Sequence, residues 1–160
     1  MTPQLSLFFI GGLVINSQRR LILPLIISFI IFVAVVFEDV VSPYFKIFGD
    51  YEAGISYAIS TITILIFPIA PIIYGRITGD EIGSIVVGVI PIVIVLFYGN
   101  FILGSTYHIS RILKVIAYTG SLAFIGGVEG YFASKKKIEH LLIAICLGIL
   151  WISVFLSGID

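Results

Sequence analysis

Charged side chains and cysteine are scarce in this chain. Asp, Glu, Lys and Arg make up 11% of its 160 residues, and nine basic residues balance nine acidic ones, so the formal net charge is zero. A neutral chain offers no basic surface to nucleic acid, and we expect no nucleic-acid partner. Cys146 is the single cysteine. It excludes an intrachain disulfide and a metal site built from several thiolates.

Motifs for metal binding and catalysis are also missing. The two histidines, His108 and His140, have no cysteine partner and no HExxH spacing, so the sequence predicts no metal site. It contains no nucleophile elbow, P-loop or dinucleotide-binding glycine pattern. Catalysis would need converging polar groups, and the apolar segments supply few. We therefore expect a protein with no catalytic residues and no cofactor.

Apolar residues are abundant. They make up 59% of the chain, and the mean hydropathy is +1.20. A soluble domain of this size could not bury so much apolar surface and still show a polar exterior to water. No segment alternates strictly between apolar and polar residues, as the strands of a membrane barrel would. The composition predicts an all-α, polytopic transmembrane helical bundle, one integral membrane domain in a lipid bilayer.

Five apolar segments are long enough to cross a hydrocarbon core about 30 Å thick. A shorter run, Leu5–Ile15, reaches roughly half of that thickness. We expect it to form a short interfacial or half-inserted helix, with a sixth span as the alternative. Pro68 and Pro71 fall in the last two turns of the second segment, where they predict a kinked or unwound end. The five segments are 21–37, 55–74, 84–103, 115–132 and 141–159.

The basic residues predict the orientation. Loops on one side of the membrane hold six of them and loops on the other side hold three, and an excess of Lys and Arg marks the cytoplasmic side. We therefore expect a multi-pass protein of the cell membrane with its C-terminus outside. The larger set is Arg19, Arg20, Arg76 and Lys135–Lys137, and the smaller set is Lys46, Arg111 and Lys114.

The fourth segment, Val115–Phe132, contains Glu129, the one acidic residue inside a long apolar segment. An ionisable residue in a membrane helix is by default a candidate functional site. Glu129 lies about one turn from the predicted helix end, where Arg76 or the lysines of 135–137 could pair with its carboxylate. The sequence favours such an interfacial salt bridge. A proton, ion or substrate site is the alternative.

Small residues on the same segment form two rows at i, i+4 spacing. Rows of this kind let helix backbones approach closely, and GxxxG is their best-known form. We expect them to pack against other helices of this chain, with self-association as the alternative. One row is Thr119, Ala123 and Gly127, and the other is Gly126, Gly130 and Ser134.

Three stretches also suggest a family. Tyr74–Asp80, YGRITGD, leads into a span that carries Pro91. Tyr118-Thr119-Gly120 opens the fourth span, and Ser134–Lys137 opens the fifth after a short basic loop. In this order of features the chain resembles the Yip1-domain family over roughly Leu21–Ile159. The resemblance implies five packed spans, a cytoplasmic N-terminus, a C-terminus across the membrane, and a non-enzymatic role in membrane organisation or trafficking.

The first functional hypothesis is a non-catalytic integral membrane protein that binds other membrane proteins or a second copy of itself. The second is a small transporter, or the membrane-embedded substrate-binding subunit of one. Glu129 favours the second, and so do Pro68, Pro71 and Pro91, because broken helices build the sites of many transporters. The third is an accessory subunit of a larger membrane complex. The depth of Glu129 in the bundle distinguishes the first hypothesis from the second.

Overall fold

Helices make up nearly all of the chain that the structure describes. The structure is a computed structural model that describes residues 21–40, 50–99 and 109–158, with the backbone alone at 50–57 and 109–111. These residues contain no strand, which confirms the all-α prediction for them. The predicted N-terminal helix Leu5–Ile15 lies outside this part. The helices are α1 (Leu21–Val40), α2 (Asp50–Thr78), α3 (Glu81–Phe97), α4 (Ile109–Ser134) and α5 (Ile138–Ser157).

Four of the helices are long and apolar enough to cross a membrane. They are α1, α4, α5 and the part of α2 from Ala58 to Thr78, whereas α3 is apolar but has only 17 residues. Large apolar side chains cover their outer faces, among them Phe29, Phe124 and Ile149. Soluble proteins rarely expose apolar surface on this scale. The helices therefore indicate a membrane-spanning protein.

The prediction for the end of α2 was a kink or an unwound segment at Pro68 and Pro71. This end is not unwound, because α2 continues as one helix to Thr78 with both prolines inside it. Each proline removes one backbone donor from the helix. Both prolines are buried, and Pro68 lies beside Gly148 of α5. Membrane helices tolerate such prolines where neighbouring groups compensate for the missing donors.

The turn between α2 and α3 is shorter than the predicted loop, Gly75–Gly83. It consists of Gly79 and Asp80 alone. Gly79 has a φ of +65°, which a residue with a side chain rarely adopts, and its N–H donates to the carbonyl of Gly75 at 2.8 Å. The Asp80 carboxylate then accepts a hydrogen bond from the N–H of Gly83 at 3.1 Å. It caps the first turn of α3.

Several other helix ends also extend beyond the apolar segments. The predicted linker 104–114 already contains the start of α4 at Ile109, and residues 135–137 alone separate α4 from α5 in place of the predicted loop 133–140. At its described end, α1 continues to Val40. Serine, arginine, lysine and glutamate are all compatible with helix. The end of an apolar segment is therefore not the end of its helix.

The helix α4 lies between three neighbours. It packs against α2, α3 and α5, and α2 also packs against α3 and α5. One core cluster joins Ile92 of α3, Leu122 of α4 and Trp151 of α5. A second cluster joins Ile31 of α1 to Tyr74 of α2 and Val87 of α3. This arrangement places the inward face of α4 at the centre of the bundle.

Candidate functional site

Glu129 lies on the inward face of α4 and is completely buried. Its carboxyl group contacts α5 at Gly148, beside Pro68 of α2. A Cβ atom built on Gly148 would lie 2.7 Å from Glu129 Oε1 and 3.4 Å from Pro68 Cβ. The first distance is shorter than real Cβ contacts allow. Gly148 is therefore a glycine that makes room for the carboxyl group.

The carboxyl group lies near half the height of the bundle. Pro68 is the central residue of the span Ala58–Thr78, and Gly148 is one of the two central residues of the span Ile138–Ser157. Side chains on a helix point back toward its N-terminus. The side chain of Glu129 therefore extends from the end of α4 toward the middle of that helix, away from the lysines that follow it.

Neither carboxyl oxygen of Glu129 has a hydrogen-bond partner in the described part of the chain. The expected salt bridge with Arg76 or the lysines of 135–137 is thus not formed there. Arg76 Nη1 donates instead to the carbonyl oxygens of Lys135, at 3.2 Å, and Lys136, at 2.8 Å. These basic groups gather at the end of the bundle, whereas the carboxyl group of Glu129 faces its interior.

The lysine turn has its own acidic partner. Lys135 Nζ forms an ion pair with Glu81 in the first turn of α3 and lies 4.5 Å from the ring centroid of Tyr131. The hydrogen bond to the Glu81 carboxylate raises the pKa of the Lys135 ammonium group. Exposed ion pairs contribute little to stability. This pair joins the start of α3 to the end of α4 and leaves Glu129 untouched.

Burial without a partner limits the chemistry of Glu129. A bare carboxylate in an apolar interior is so costly that such groups become neutral or bind a cation. While the helices are closed around it, Glu129 must therefore carry a proton or a cation. It can release either one only when water or another acceptor reaches it. The arrangement is suited to carrying a positive charge across an apolar layer.

Two further buried polar atoms that have no partner in the described ranges lie on the α5 face that contacts Glu129. They are His140 Nδ1 and Trp151 Nε1. His140, Gly148 and Trp151 fall at i, i+8 and i+11, which places them on one side of the helix. The His140 ring stacks on Phe132, with centroids 5.8 Å apart. Few buried polar groups in native proteins are unpaired. The Glu129 carboxyl group, His140 Nδ1 and Trp151 Nε1 lie along one contact between α4 and α5, which is therefore a candidate site for water or a ligand.

The predicted row of Gly126, Gly130 and Ser134 lies where α4 approaches α3 and α2. A Cβ atom on Gly126 would overlap the carbonyl oxygen of Gly88, and one on Gly130 would overlap that of Ser84. Ser134 follows at the same crossing: a Cβ atom on Gly75 of α2 would lie 2.9 Å from its backbone nitrogen. The structure places this row inside the bundle, in contact with this chain's own helices.

The other row has looser contacts. A Cβ atom on Gly127 would lie 3.0 Å from a methyl carbon of Val89, and Ala123 belongs to the core cluster around Leu122. Thr119 is half-buried, in a groove between α3 and α4. A Cβ atom on Gly127 would thus meet side-chain atoms, whereas one on Gly126 would meet backbone.

Sequence reasoning missed the residues on the partner helices. On α3, Ser84 and Gly88 contact the glycines of α4, Gly130 and Gly126. On α5, Gly148 contacts the carboxyl group of Glu129. A signal was present, because Ser84 and Gly88 are four residues apart, as are Ala144 and Gly148. Such pairs of small residues mark close helix crossings. What the spacing does not reveal is which helices cross.

No protein-family model, no curated protein and no solved structure matches the chain. The resemblance to the Yip1-domain family therefore stays a prediction.

Proposed function

We propose that the chain is a small transporter, or the membrane-embedded substrate-binding subunit of one, in which Glu129 carries a proton. The observation that carries this proposal is the carboxyl group of Glu129, which is buried at half the height of the bundle and has no partner among the described residues. The protein has five spans, with α3 as the shortest, since 17 residues of helix extend about 25 Å. It resides in the cell membrane with its C-terminus outside, and the turns that hold Arg76 and Lys135–Lys137 face the cytoplasm.

A purely structural role does not account well for Glu129. Structural acidic residues in membrane helices pair with a basic residue or with backbone groups, and the described residues give Glu129 neither. A buried polar group without a partner costs about 1–3 kcal/mol. An apolar side chain would pack against Gly148 and Pro68 without that cost. Residues that break the rules of packing in this way are expected at functional sites.

The neighbours of Glu129 favour proton exchange. On α2 the nearest titratable side chains toward the cytoplasmic end are Tyr74, which donates to Asp80, and Arg76, which donates to the turn after α4. On the side of α5 that contacts Glu129 it is His140, whose Nδ1 has no described partner, since Cys146 is exposed. An imidazole can both donate and accept a hydrogen bond. His140 lies on the same side of α5 as Gly148, between Glu129 and the cytoplasmic end of that helix.

Proton flux into proteoliposomes tests the proposal. The purified protein is reconstituted with an internal pH dye, and a potassium diffusion potential drives protons inward. We expect the wild-type rate to exceed that of Glu129→Gln by about tenfold or more, because glutamine cannot carry the proton. Glu139→Gln is the matched control, since Glu139 is exposed in the first turn of α5. Wild-type flux equal to that of empty liposomes, or full flux in Glu129→Gln, would contradict the proposal.

A second candidate is a non-catalytic, membrane-organising protein, as the Yip1 resemblance implies, that binds other integral membrane proteins or a second copy. One observation favours it. Ala117, Gly120 and Ser121 are exposed on α4, and a Cβ atom on Gly120 would meet no atom within 4 Å. An accessory subunit of a larger complex would use the same face. Crosslinking in native membranes that gives a product in wild type and none in Gly120→Leu would favour this candidate.

A further inference from the structure

A cavity of about 120 Å³ lies where all five helices meet, on the side of Trp151 that is remote from the lysine turn. Its wall includes Val35 of α1, Phe67 of α2, Ile92 of α3 and Leu122 of α4. An apolar protein cavity of about 150 Å³ holds a molecule the size of benzene. The volume here accommodates a ligand of about four to six heavy atoms by the same measure.

Stacked aromatic rings form one rigid part of the wall. The ring of Phe67 stacks on Trp151 with centroids 5.5 Å apart, and Trp151 stacks on Phe155 with centroids 5.4 Å apart. All three rings line the cavity. Ligand sites are typically largely pre-formed and mostly apolar, with a few placed polar groups. Like such sites, this cavity has a mostly apolar wall.

Besides the indole N–H of Trp151, the polar side chains of the wall are those of Glu38 and Thr63. Glu38 was expected to end the first span, but α1 continues past it, and its half-buried side chain lines the cavity. Its Oε1 accepts a hydrogen bond from the Ser60 hydroxyl, which fixes the carboxylate. No lysine or arginine in the described part pairs with Glu38. The Thr63 hydroxyl donates to the carbonyl of Ile59 at 3.0 Å, so its oxygen can only accept a further bond.

These groups select one class of ligand. One fixed carboxylate and one accepting hydroxyl suit a cationic hydrogen-bond donor, and carboxylate oxygens can accept several such bonds. Apolar walls suit an alkyl body. A bare metal cation would need more oxygen ligands than this wall supplies. An anion would be repelled by Glu38.

We propose that this cavity binds a small monoalkyl ammonium ion. The ammonium group lies on the Glu38 carboxylate and Thr63 Oγ1, and the alkyl chain packs against Phe67 and Trp151. The site does not involve Glu129, so it goes beyond the transporter proposal and can be tested without it. If both proposals hold, this ion is the transported substrate.

Trp151 provides a direct test, because it is the only tryptophan in the protein and lines the cavity. The full chain in detergent is titrated at constant ionic strength with n-butylammonium and, separately, with n-butanol, and Trp151 fluorescence is recorded. We expect a saturable change with butylammonium and an affinity for butanol at least tenfold weaker. Glu38→Gln should weaken butylammonium binding about tenfold and leave butanol binding unchanged. Asp39→Asn, an exposed neighbour, is the matched control and should bind like wild type.

Three results would overturn the proposal: no saturable change, equal affinity for the ammonium ion and the alcohol, or the same weakening in Asp39→Asn as in Glu38→Gln. If Glu38→Gln fails to fold, Val35→Phe replaces it, since a phenylalanine at position 35 fills the cavity from α1. The Val35→Phe variant should bind neither n-butylammonium nor n-butanol. If it binds both as wild type does, the proposed site is rejected. Binding without proton flux would reject the transporter alone, and flux without binding would reject this site alone.

Discussion

Leucine at position 126 is expected to destabilise the detergent-solubilised protein by about 3 kcal/mol or more, at or beyond the upper end of typical overpacking costs. Even a Cβ atom on Gly126 would overlap the carbonyl oxygen of Gly88. The obstacle is backbone, so no side-chain rotation relieves it, and α3 and α4 must separate. Leucine is otherwise a better helix former than glycine. Any loss of stability in Gly126→Leu therefore comes from the crossing of α3 and α4.

Gly120→Leu is the matched control for this substitution. Gly120 lies on the same helix, is exposed, and has no atom within 4 Å of its built Cβ. Thermal unfolding followed by circular dichroism should show a large drop in melting temperature for Gly126→Leu and none for Gly120→Leu. If both variants have the melting temperature of wild type, or if both melting temperatures fall equally, α3 and α4 do not cross at Gly88 and Gly126.

Replacing Glu129 with methionine should stabilise the protein and abolish proton flux. Methionine has nearly the length of glutamate and adapts to irregular spaces, so it fills the place beside Gly148 and Pro68. It removes two buried oxygens that have no described partner. Leaving such a group unpaired costs about 1–3 kcal/mol. Glutamine keeps polar atoms in the same place and should give no comparable gain.

The comparison uses thermal unfolding and the flux assay on the same preparations. Glu139→Met changes an exposed glutamate in the first turn of α5 and should shift stability by no more than about 0.5 kcal/mol. A gain of stability together with loss of flux in Glu129→Met would be a trade of stability for function. A clear loss of stability in that variant would mean that the carboxyl group holds the bundle together, and the transporter proposal would lose its main support.

Composition and apolar runs were enough to predict the helical class and the approximate helices. The ends of these helices were harder to predict, because a run of apolar residues ends where the polar residues begin. The helix itself continues until a terminating group appears. Between α2 and α3 that group is Gly79 with its positive φ, followed by the Asp80 cap, and both fall inside what was predicted to be a nine-residue loop.

The sequence singled out Glu129 and the glycines near it, but not their contacts. A salt bridge was predicted because residue 129 lies close to the lysines along the chain. Its side chain points the other way, toward the N-terminus of α4, and its neighbours Gly148 and Pro68 belong to other helices. The predicted first segment, 21–37, likewise left Glu38 outside the span. At the end of an apolar run a carboxylate suggests a water-exposed end, yet it lines a cavity that five helices form together.

In the proposed transporter, Glu129 holds a proton inside the bundle and exchanges it with water. Infrared spectroscopy of the protein in lipid bilayers detects this proton, with Glu129→Gln used to assign the carboxyl band. We expect wild type to show the band of a protonated carboxyl group that is absent in Glu129→Gln and that shifts when water is replaced by D₂O. If wild type and Glu129→Gln give the same spectrum, or if the Glu129 band does not shift in D₂O, Glu129 does not carry protons across this protein.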